Sequence, residues 1–309
     1  MDKQKLNDIL LGTKFDKAKM DALTFDELIE IYETALYSMI RNKGQERRAK
    51  FFQSRAQVFY MLILERMMIV DQIFVLFSNV SKLPYVVCDE KTFDDQIYIF
   101  MEEDQATAKK ESNKFQSVVK LERNQLKNFY LSLYPLGINA LVVNAGEKVI
   151  RIQLKEICKE PDYSKIPEEK RPVTNPELQL TSIYYVQQLR EQIQNGEKKD
   201  LTEMLEEIHA NLKSGKFFLI YRNAENEDGT PSKEKIEFPS VKLKNGEIFH
   251  PIFTDLNEVL KFPNVKTFHP MILDLKSIFK LLAPEVKGVI LNPQSVQIMV
   301  TREVVNKEK

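Results

Sequence analysis

The feature that most limits how this chain can fold is a proline-rich segment near its middle. Four prolines fall among seven charged residues in the segment 160–176, namely Pro161, Pro167, Pro172 and Pro176. Proline lacks a backbone N–H and has a restricted φ, so this spacing excludes a helix or a central strand. A chain of 309 residues is long enough for two ordinary domains. The sequence therefore predicts three parts: an N-terminal domain over 1–159, a linker over 160–174 and a C-terminal domain over 175–309.

Each half is predicted to mix helices with short strands in the same order. In the first half the order is two helices, a buried strand, a hairpin, a helix, a short strand, a helix and a hairpin, over 25–40, 45–64, 67–70 or 73–77, 83–101, 102–114, 118–121, 125–133 and 140–154. The second half repeats that order over 176–193, 200–214, 217–221, 236–253, 255–261, 271–274, 275–282 and a last hairpin turning at 292–295. Residues 223–235 are predicted on composition to be a mobile loop. These patterns predict an α+β fold with a small mixed sheet and packed helices in each half.

Turn and cap residues mark chain reversals and helix starts in the second half. The Asn-Gly pair at 245–246 lies between two apolar runs and is a strong short-range signal for a tight hairpin. Asn175 before Pro176 predicts a helix that begins with proline and is capped by asparagine. Thr254 or Asp255 is predicted to cap a further helix.

Landmark residues of the first half recur in the second half at nearly constant separation. The matched pairs are Met67-Met68 with Phe217-Phe218, Pro84 with Pro239, Phe100 with Phe253, and Asn144 with Asn292. Insertions in loops account for the small drift in spacing. Since landmarks and element order agree together, we predict a tandem duplication. The alternative is a coincidental likeness of two α+β domains of similar size.

Several short stretches of the second half also resemble a known bacterial family. They are Pro-Glu-Leu at 176–178, the tyrosine-containing helix after it, FFLIYR at 217–222, PIFTD at 251–255 and VILNP at 289–293. In this order and spacing they resemble the N-terminal domain of the SseB (enhanced serine sensitivity) family, over about 172–305. The first half resembles it as a degenerate copy, because Met101-Glu102 stands where Thr-Asp is expected and Ala145 replaces a proline. The resemblance implies a cytoplasmic bacterial α+β domain to which no enzymatic activity is generally assigned.

Charge and cysteine content limit the partners and the compartment. The 45 Lys and Arg residues balance 45 Asp and Glu residues, and the formal net charge is zero. A protein that grips a phosphate backbone is usually strongly basic on one face, so we predict no nucleic-acid partner. Basic clusters at 41–50 and 109–127 are interleaved with glutamates and are interpreted as solvated helix faces. Cys88 and Cys158 form no metal or redox spacing, which favours a reducing cytoplasm.

One stretch imitates a membrane span. Residues 58–77 are largely apolar, but Glu65, Arg66 and Asp71 interrupt them. Charges at mid-bilayer cost about 2.5 to 3.5 kcal/mol each on insertion scales. The first 20 residues contain no apolar signal-peptide core. We therefore predict a cytoplasmic protein with no membrane partner.

Familiar catalytic and cofactor motifs are absent from the sequence. The nine glycines form no GxGxxG or GxxxxGK[ST] arrangement, and neither GxSxG nor HExxH occurs. His250 and His269, with Asp255 and Asp274 as the nearest carboxylates, are too few and too scattered to favour a metal site over structural histidines. We assign no catalytic residue, no metal and no cofactor.

The candidate binding residues surround two predicted strand ends: Phe253, Thr254, Asp255, Asn292 and Pro293. In the functional interpretation these residues shape one polar pocket for a ligand or partner. In the structural interpretation, which we favour, a cap and an Asn-Pro turn account for them. The predicted function is accordingly a non-enzymatic protein-interaction or regulatory module. The alternative is a small-ligand sensor or enzyme with a pocket near Thr254 and Asn292.

Overall fold

The computed structural model describes residues 1–12, 16–111, 113–196, 198–225 and 231–302. Within these ranges the chain forms α-helices and two mixed β-sheets, which confirms the predicted α+β fold class. The chain divides into two compact units. Unit 1 consists of Met1–Leu76, Val87–Leu131 and Asn139–Glu160, and unit 2 of Phe77–Val86, Ser132–Ile138 and Pro161–Lys309. Unit 2 thus includes two segments of the first half.

The first half begins with four helices and then alternates strands with shorter helices. Its helices are α1 (Lys3–Leu11), α2 (Lys17–Asp21), α3 (Phe25–Arg41), α4 (Glu46–Ile69), α5 (Glu103–Lys110), α6 (Arg123–Leu133) and α7 (Leu154–Ile157). Its strands are β1 (Gln72–Ser78), β2 (Val86–Cys88), β3 (Asp95–Phe100), β4 (Gln116–Glu122), β5 (Ala140–Ala145) and β6 (Lys148–Gln153). Helix α3 begins with the capping box of Thr24 and Glu27, as its sequence pattern indicates. Helix α4 extends beyond the predicted end at residue 64.

The first sheet has the strand order β4-β1-β3-β5-β6, and β2 pairs with β3. Strands β3 and β5 are parallel, while β1 with β3 and β5 with β6 are antiparallel. Alternate residues of β1 and β3 such as Ile73, Val75, Ile97 and Ile99 are fully buried. Helix α3 packs against α4 and β6, and α5 packs against β3 and β4. Such burial supplies most of the stabilisation of a small sheet domain.

The second half begins with two long helices that pack on each other. Its helices are α8 (Pro176–Asn195), α9 (Thr202–Ser214), α10 (Leu256–Leu260) and α11 (Leu275–Leu281). Its strands are β7 (Lys216–Glu225), β8 (Pro231–Glu237), β9 (Val241–Lys242), β10 (Ile248–Phe253), β11 (His269–Asp274), β12 (Gly288–Leu291) and β13 (Ile298–Thr301). Short 3-10 helices lie at Tyr134–Leu136, Glu168–Lys170 and Val265–Thr267. The predicted linker contains only the second of these among its described elements.

The second sheet has the order β11-β7-β10-β12-β13, and β8 pairs with β7 and β9 with β10. Strands β10 and β12 are parallel, and β7 with β10 and β12 with β13 are antiparallel. The Asn-Gly turn connects β9 to β10, with Gly246 at φ 86. The predicted mobile loop at 223–235 is wrong where the structure describes it, because Asn223 pairs with Ile236 between β7 and β8. Residues 226–230 of that prediction lie outside the described residues.

The two sheets have the same strand order, the same chain order of their strands and the same parallel pair at the third and fourth positions. The predicted match of residues 67–68 is wrong, since these residues lie in α4. The pairing of strands instead matches Phe74 with Phe218, because each lies opposite one of the landmark residues Phe100 and Phe253. Phe74 lies opposite Phe100 in the first sheet. Phe218 lies opposite Phe253 in the second.

Residues 58–77, which imitate a membrane span in the sequence, are divided between α4 and β1. In the described ranges, none of the helices combines the length and the apolar character that crossing a membrane would need.

Candidate functional site

The candidate residues meet where two parallel strands end. Strand β10 ends at Phe253 and β12 ends at Leu291, and Ile252 lies opposite Leu291 in the register. Because the strands are parallel, the residues that follow them emerge at the same edge of the sheet. The backbone N–H of Thr254 accordingly donates to Asn292 Oδ1 at 3.1 Å. The structure therefore brings Thr254, Asp255 and Asn292 together.

Asp255 is the N-cap of α10, and its buried carboxylate has three donors. Oδ1 accepts from the backbone N–H of Glu258 at 3.1 Å. Oδ2 accepts from Thr254 Oγ1 at 2.8 Å and from Gln179 Nε2 at 3.1 Å. A buried carboxylate without a cation is tolerated only when hydrogen bonds replace its hydration, and these three do so.

Asn292 closes the polar cluster from the other strand. Its Nδ2 donates to Gln179 Oε1 at 3.1 Å and to Thr254 Oγ1 at 3.0 Å. Its φ of 46° lies in the left-handed region, which asparagine adopts more readily than most residues. We call Gln179, Thr254, Asp255 and Asn292 the polar ring. All four are buried, and each of their side chains bonds to at least two other groups.

A second pair of buried polar residues adjoins the polar ring. Ser295 Oγ donates to Glu258 Oε2 at 2.7 Å. The other carboxylate oxygen of Glu258 accepts from Lys261 Nζ at 2.6 Å. The Glu258 side chain is almost fully buried while that of Lys261 reaches solvent. The hydrogen bond from Ser295 links α10 to the turn after β12, while the ion pair joins α10 to its own C-cap residue.

Phe253 and Pro293 contribute apolar packing rather than polar groups. Phe253 belongs to a buried cluster with Phe218, Ile220 and Val259. Pro293 is buried in the turn that follows Asn292. Neither side chain presents a surface to a ligand in this structure.

The polar ring has the chemistry of a structural clasp. Its donors and acceptors bond to one another and to backbone, and its members are shielded from solvent. A ligand would have to break several of these bonds to enter. The arrangement thus favours the structural interpretation, in which the ring joins α8, the start of α10 and the turn after β12.

One polar residue near the start of α8 was not identified from the sequence, and a second forms bonds other than the predicted one. Gln179 occupies the centre of the polar ring, but it lies 76 residues from Asp255, and no local pattern marks it. Asn175 was predicted to cap α8, and its side chain makes no capping bond. Its Nδ2 donates instead to the carbonyls of Lys216 and Thr254, at 2.9 and 2.7 Å.

The histidines do not form a metal site in the described part of the chain, where no group of three His, Cys, Asp or Glu residues is close enough to hold an ion. His250 is buried in β10, and its Nδ1 lies 2.8 Å from the carbonyl oxygen of Pro239. A carbonyl only accepts, so Nδ1 carries the hydrogen and Nε2 is the nitrogen that titrates. Burial lowers the pKa of His250, while the bond to Pro239 and the charge of Glu285 raise it by less.

This lowered pKa predicts a pH dependence of stability. The unfolded chain binds a proton at His250 more readily than the folded chain does. The contribution of the neutral imidazole is therefore complete above the ordinary histidine pKa and is lost as the pH falls through the lower folded pKa. In urea titrations at mildly alkaline and mildly acidic pH, we expect His250→Gln to lose less stability on acidification than the wild type.

The exposed His269 in β11 supplies the control for this measurement. His269→Gln should keep the wild-type dependence on pH. Equal acid sensitivity of the wild type and His250→Gln would contradict the prediction.

A different kind of surface lies on the outer side of α4. Phe51, Met61 and Ile69 are 39%, 63% and 51% exposed, although large apolar side chains in a long helix are usually buried. They share one side of the helix with the half-buried Val58 and Leu62. We call these five residues the α4 stripe. The buried side of α4 carries a separate apolar set, which includes Phe59, Ile63 and Met67.

A shallow groove of about 290 Å³ follows the middle of the α4 stripe. It is lined by Ser54, Gln57, Val58, Met61, Leu62 and Glu65. The sequence signal for the stripe was present, because apolar residues occur on more than one side of the 45–64 helix. Helical spacing alone does not tell which side is covered.

Comparison with known proteins identifies no family and one distant solved structure. No family model matches the chain, and no curated protein matches it. Among solved structures, the chain is similar to one titled Anabaena Tic22 (protein transport), with 12% sequence identity, 73% of this chain and 90% of that chain covered, and a TM-score of 0.18. A likeness this low carries no argument about fold or function. The resemblance to the SseB family stays a prediction.

Proposed function

We propose that this protein is a non-enzymatic protein-interaction or regulatory module that binds a protein partner through the α4 stripe. The observation that supports it is the exposure of Phe51, Met61 and Ile69 on one side of a 24-residue helix. Contiguous exposed apolar residues on a folded protein mark interaction surfaces, because leaving them in water has a free-energy cost that binding removes. The cytoplasm is the compartment we propose for it.

The alternative function, a ligand sensor or enzyme with a pocket near Thr254 and Asn292, has less support. The polar ring uses its hydrogen-bonding groups internally, and its members are buried. Phe253, Asp255 and Pro293 serve packing and capping in the same place. We therefore propose that these residues maintain the fold of unit 2.

The evolutionary origin we propose is a duplication of an SseB-like domain. The support is the shared strand order of the two sheets. The register supports it further, since Phe100 lies opposite Asn144 in the first sheet. In the second sheet Ile252 lies opposite Leu291. The next residues along these two parallel strands are Phe253 and Asn292, so both sheets place a phenylalanine beside an asparagine at this point.

Affinity capture with a matched pair of variants tests the proposed function. The tagged full-length chain, its Met61→Lys variant and its Gln53→Lys variant are used as baits in an extract of the source cells. Gln53 is exposed on α4 away from the stripe. We expect a protein bound in stoichiometric amount by the wild type and Gln53→Lys, and its loss with Met61→Lys.

A thermal-shift screen against amino acids and nucleotides tests the alternative. A ligand present at about 100 times its dissociation constant adds about 2.7 kcal/mol of stability. We expect no rise in Tm with any compound. A clear rise, together with capture that is indifferent to Met61, would refute the interaction module in favour of a ligand sensor or enzyme.

A further inference from the structure

Two opposite charges lie on the line of the α4 stripe. Arg47 and Glu65 are 18 residues apart, which is five turns of an α-helix, so they lie on the same side of α4 about 27 Å from each other. Both side chains are exposed. Within the described residues neither forms an ion pair, whereas the nearby Lys50 pairs with Glu46. The charges thus flank the apolar middle of the stripe, one near each end.

The order of charged and apolar residues along α4 is self-complementary when two copies of the helix are placed antiparallel. In an antiparallel pairing centred between Ser54 and Val58, Arg47 of one helix lies opposite Glu65 of the other. In the same register Phe51 lies opposite Met61, and the small Ser54 lies opposite Val58. A parallel pairing would instead place Arg47 against Arg47 and Glu65 against Glu65, which is repulsive at both ends.

We propose that the α4 stripe binds the α4 stripe of a second copy of this chain, with the two helices antiparallel about a two-fold axis that passes between Ser54 and Val58. The inference rests on the proposed function, since it requires the stripe to be a protein-binding surface. A two-fold interface uses the same patch on both copies, and that is the symmetry this charge order satisfies. The groove beside Met61 and Leu62 receives Phe51 of the second copy.

The length of the stripe sets the strength of the association. The residues that pair in this register, from Arg47 to Glu65, extend over about 27 Å at 1.5 Å per residue. One helix pair of this length buries an area near or below the ~1,200 Å² at which stable specific interfaces begin. We therefore expect a reversible dimer with a dissociation constant in the micromolar range. The ion pairs at its ends should make it weaker at high salt.

Charge exchange between positions 47 and 65 is the sharpest test. Sedimentation equilibrium of the full-length chain is measured for the wild type, Arg47→Glu, Glu65→Arg and the double variant that carries both changes. By symmetry each single change replaces two attractive contacts with repulsive ones. We expect each to raise the dissociation constant by about tenfold or more. The double variant restores both ion pairs with reversed polarity and should return close to the wild-type value.

Apolar and neutral controls complete the experiment. Met61→Lys should raise the dissociation constant by about thirtyfold or more, as loss of a central apolar anchor does. Gln53→Lys adds the same charge off the stripe and should leave it unchanged. All of these positions are exposed, so far-UV circular dichroism is expected to confirm that each variant is folded.

The outcomes separate this inference from the proposed function. A wild-type chain that is monomeric at hundreds of micromolar overturns the self-pairing. A dimer that the double variant does not restore overturns the antiparallel α4 pairing. In either case, capture of another protein that depends on Met61 would leave the interaction module standing. A monomeric chain that captures no protein through Met61 would remove both.

Discussion

Replacing Asp255 with alanine is expected to lower the free energy of unfolding by on the order of 3 kcal/mol, because several buried groups lose their partner at once. The hydroxyl of Thr254 and the amide of Gln179 both donate to this carboxylate. The backbone N–H of Glu258 loses its cap as well. All of these groups lie where water does not reach, so their desolvation is no longer compensated. The measurement is the shift of the urea midpoint at constant m-value.

Asp274 offers a matched control on α11. It is also an N-cap, and its Oδ1 accepts from the backbone N–H of Ser277 at 2.7 Å, but its side chain is exposed. Asp274→Ala should therefore cost only about 1 kcal/mol, the usual value of a lost cap. The difference between the stability losses of the two variants measures how much the buried hydrogen bonds of the polar ring add to an ordinary helix cap. If both variants lost the same stability, the ring would contribute no more than an ordinary helix cap.

The sequence predicted the parts of this site that depend on local spacing. A small acidic residue before an apolar pattern indicates a helix start, and Asp255 is the cap of α10. The functional interpretation placed Thr254 and Asn292 together at two strand ends, and the structure brings these two residues into contact. Gln179 could not be found in this way. A glutamine in a helix is chemically ordinary, and only tertiary folding brings it against Asp255.

The errors in secondary structure have a common physical origin. The apolar residues after Leu64 fit a buried strand and a helix end equally well, since a short apolar run carries no period. They extend α4 to Ile69. Residues 231–235 are polar and were assigned to a loop, yet β8 forms there because its backbone pairs with β7. In both cases the structure depends on pairing or packing with residues far away in the sequence, which local composition cannot indicate.

The fold also makes a prediction about dissection of the chain. A fragment that begins in the linker at residue 160 is expected not to unfold cooperatively, although the sequence divides the chain there. Unit 2 includes Phe77–Val86 and Ser132–Ile138. The fragment lacks both segments, and with them the buried side chains of Leu83 and Ile138. Without them the apolar surface that they cover is exposed to water. The resulting loss of stability is large compared with the small net free energy of unfolding of a domain.

Specific contacts inside unit 2 show how these segments are bound. The side chain of Gln187 in α8 accepts from the backbone N–H of Val86 at 3.1 Å and donates to its carbonyl at 2.9 Å. Gly137, at φ +77, lies so close to α8 that a Cβ there would be 2.9 Å from the carbonyl oxygen of Pro176. In the fragment the amide of Gln187 has no such partner, and α8 loses one packed side. Urea titration by circular dichroism should give a broad, non-cooperative change for the fragment.

A cleaved full-length chain is the control that isolates the missing segments from the broken backbone. A protease site inserted between Ser164 and Lys165 lies in an exposed stretch outside helices and strands. After cleavage both pieces are present, so Val86 and Gly137 can still meet α8, and we expect a cooperative transition near that of the intact chain. If the isolated fragment unfolded cooperatively at the same urea midpoint as the cleaved chain, the two segments would not be needed for the stability of unit 2. The contrast between the two samples therefore tests whether unit 2 is completed by residues that precede the linker.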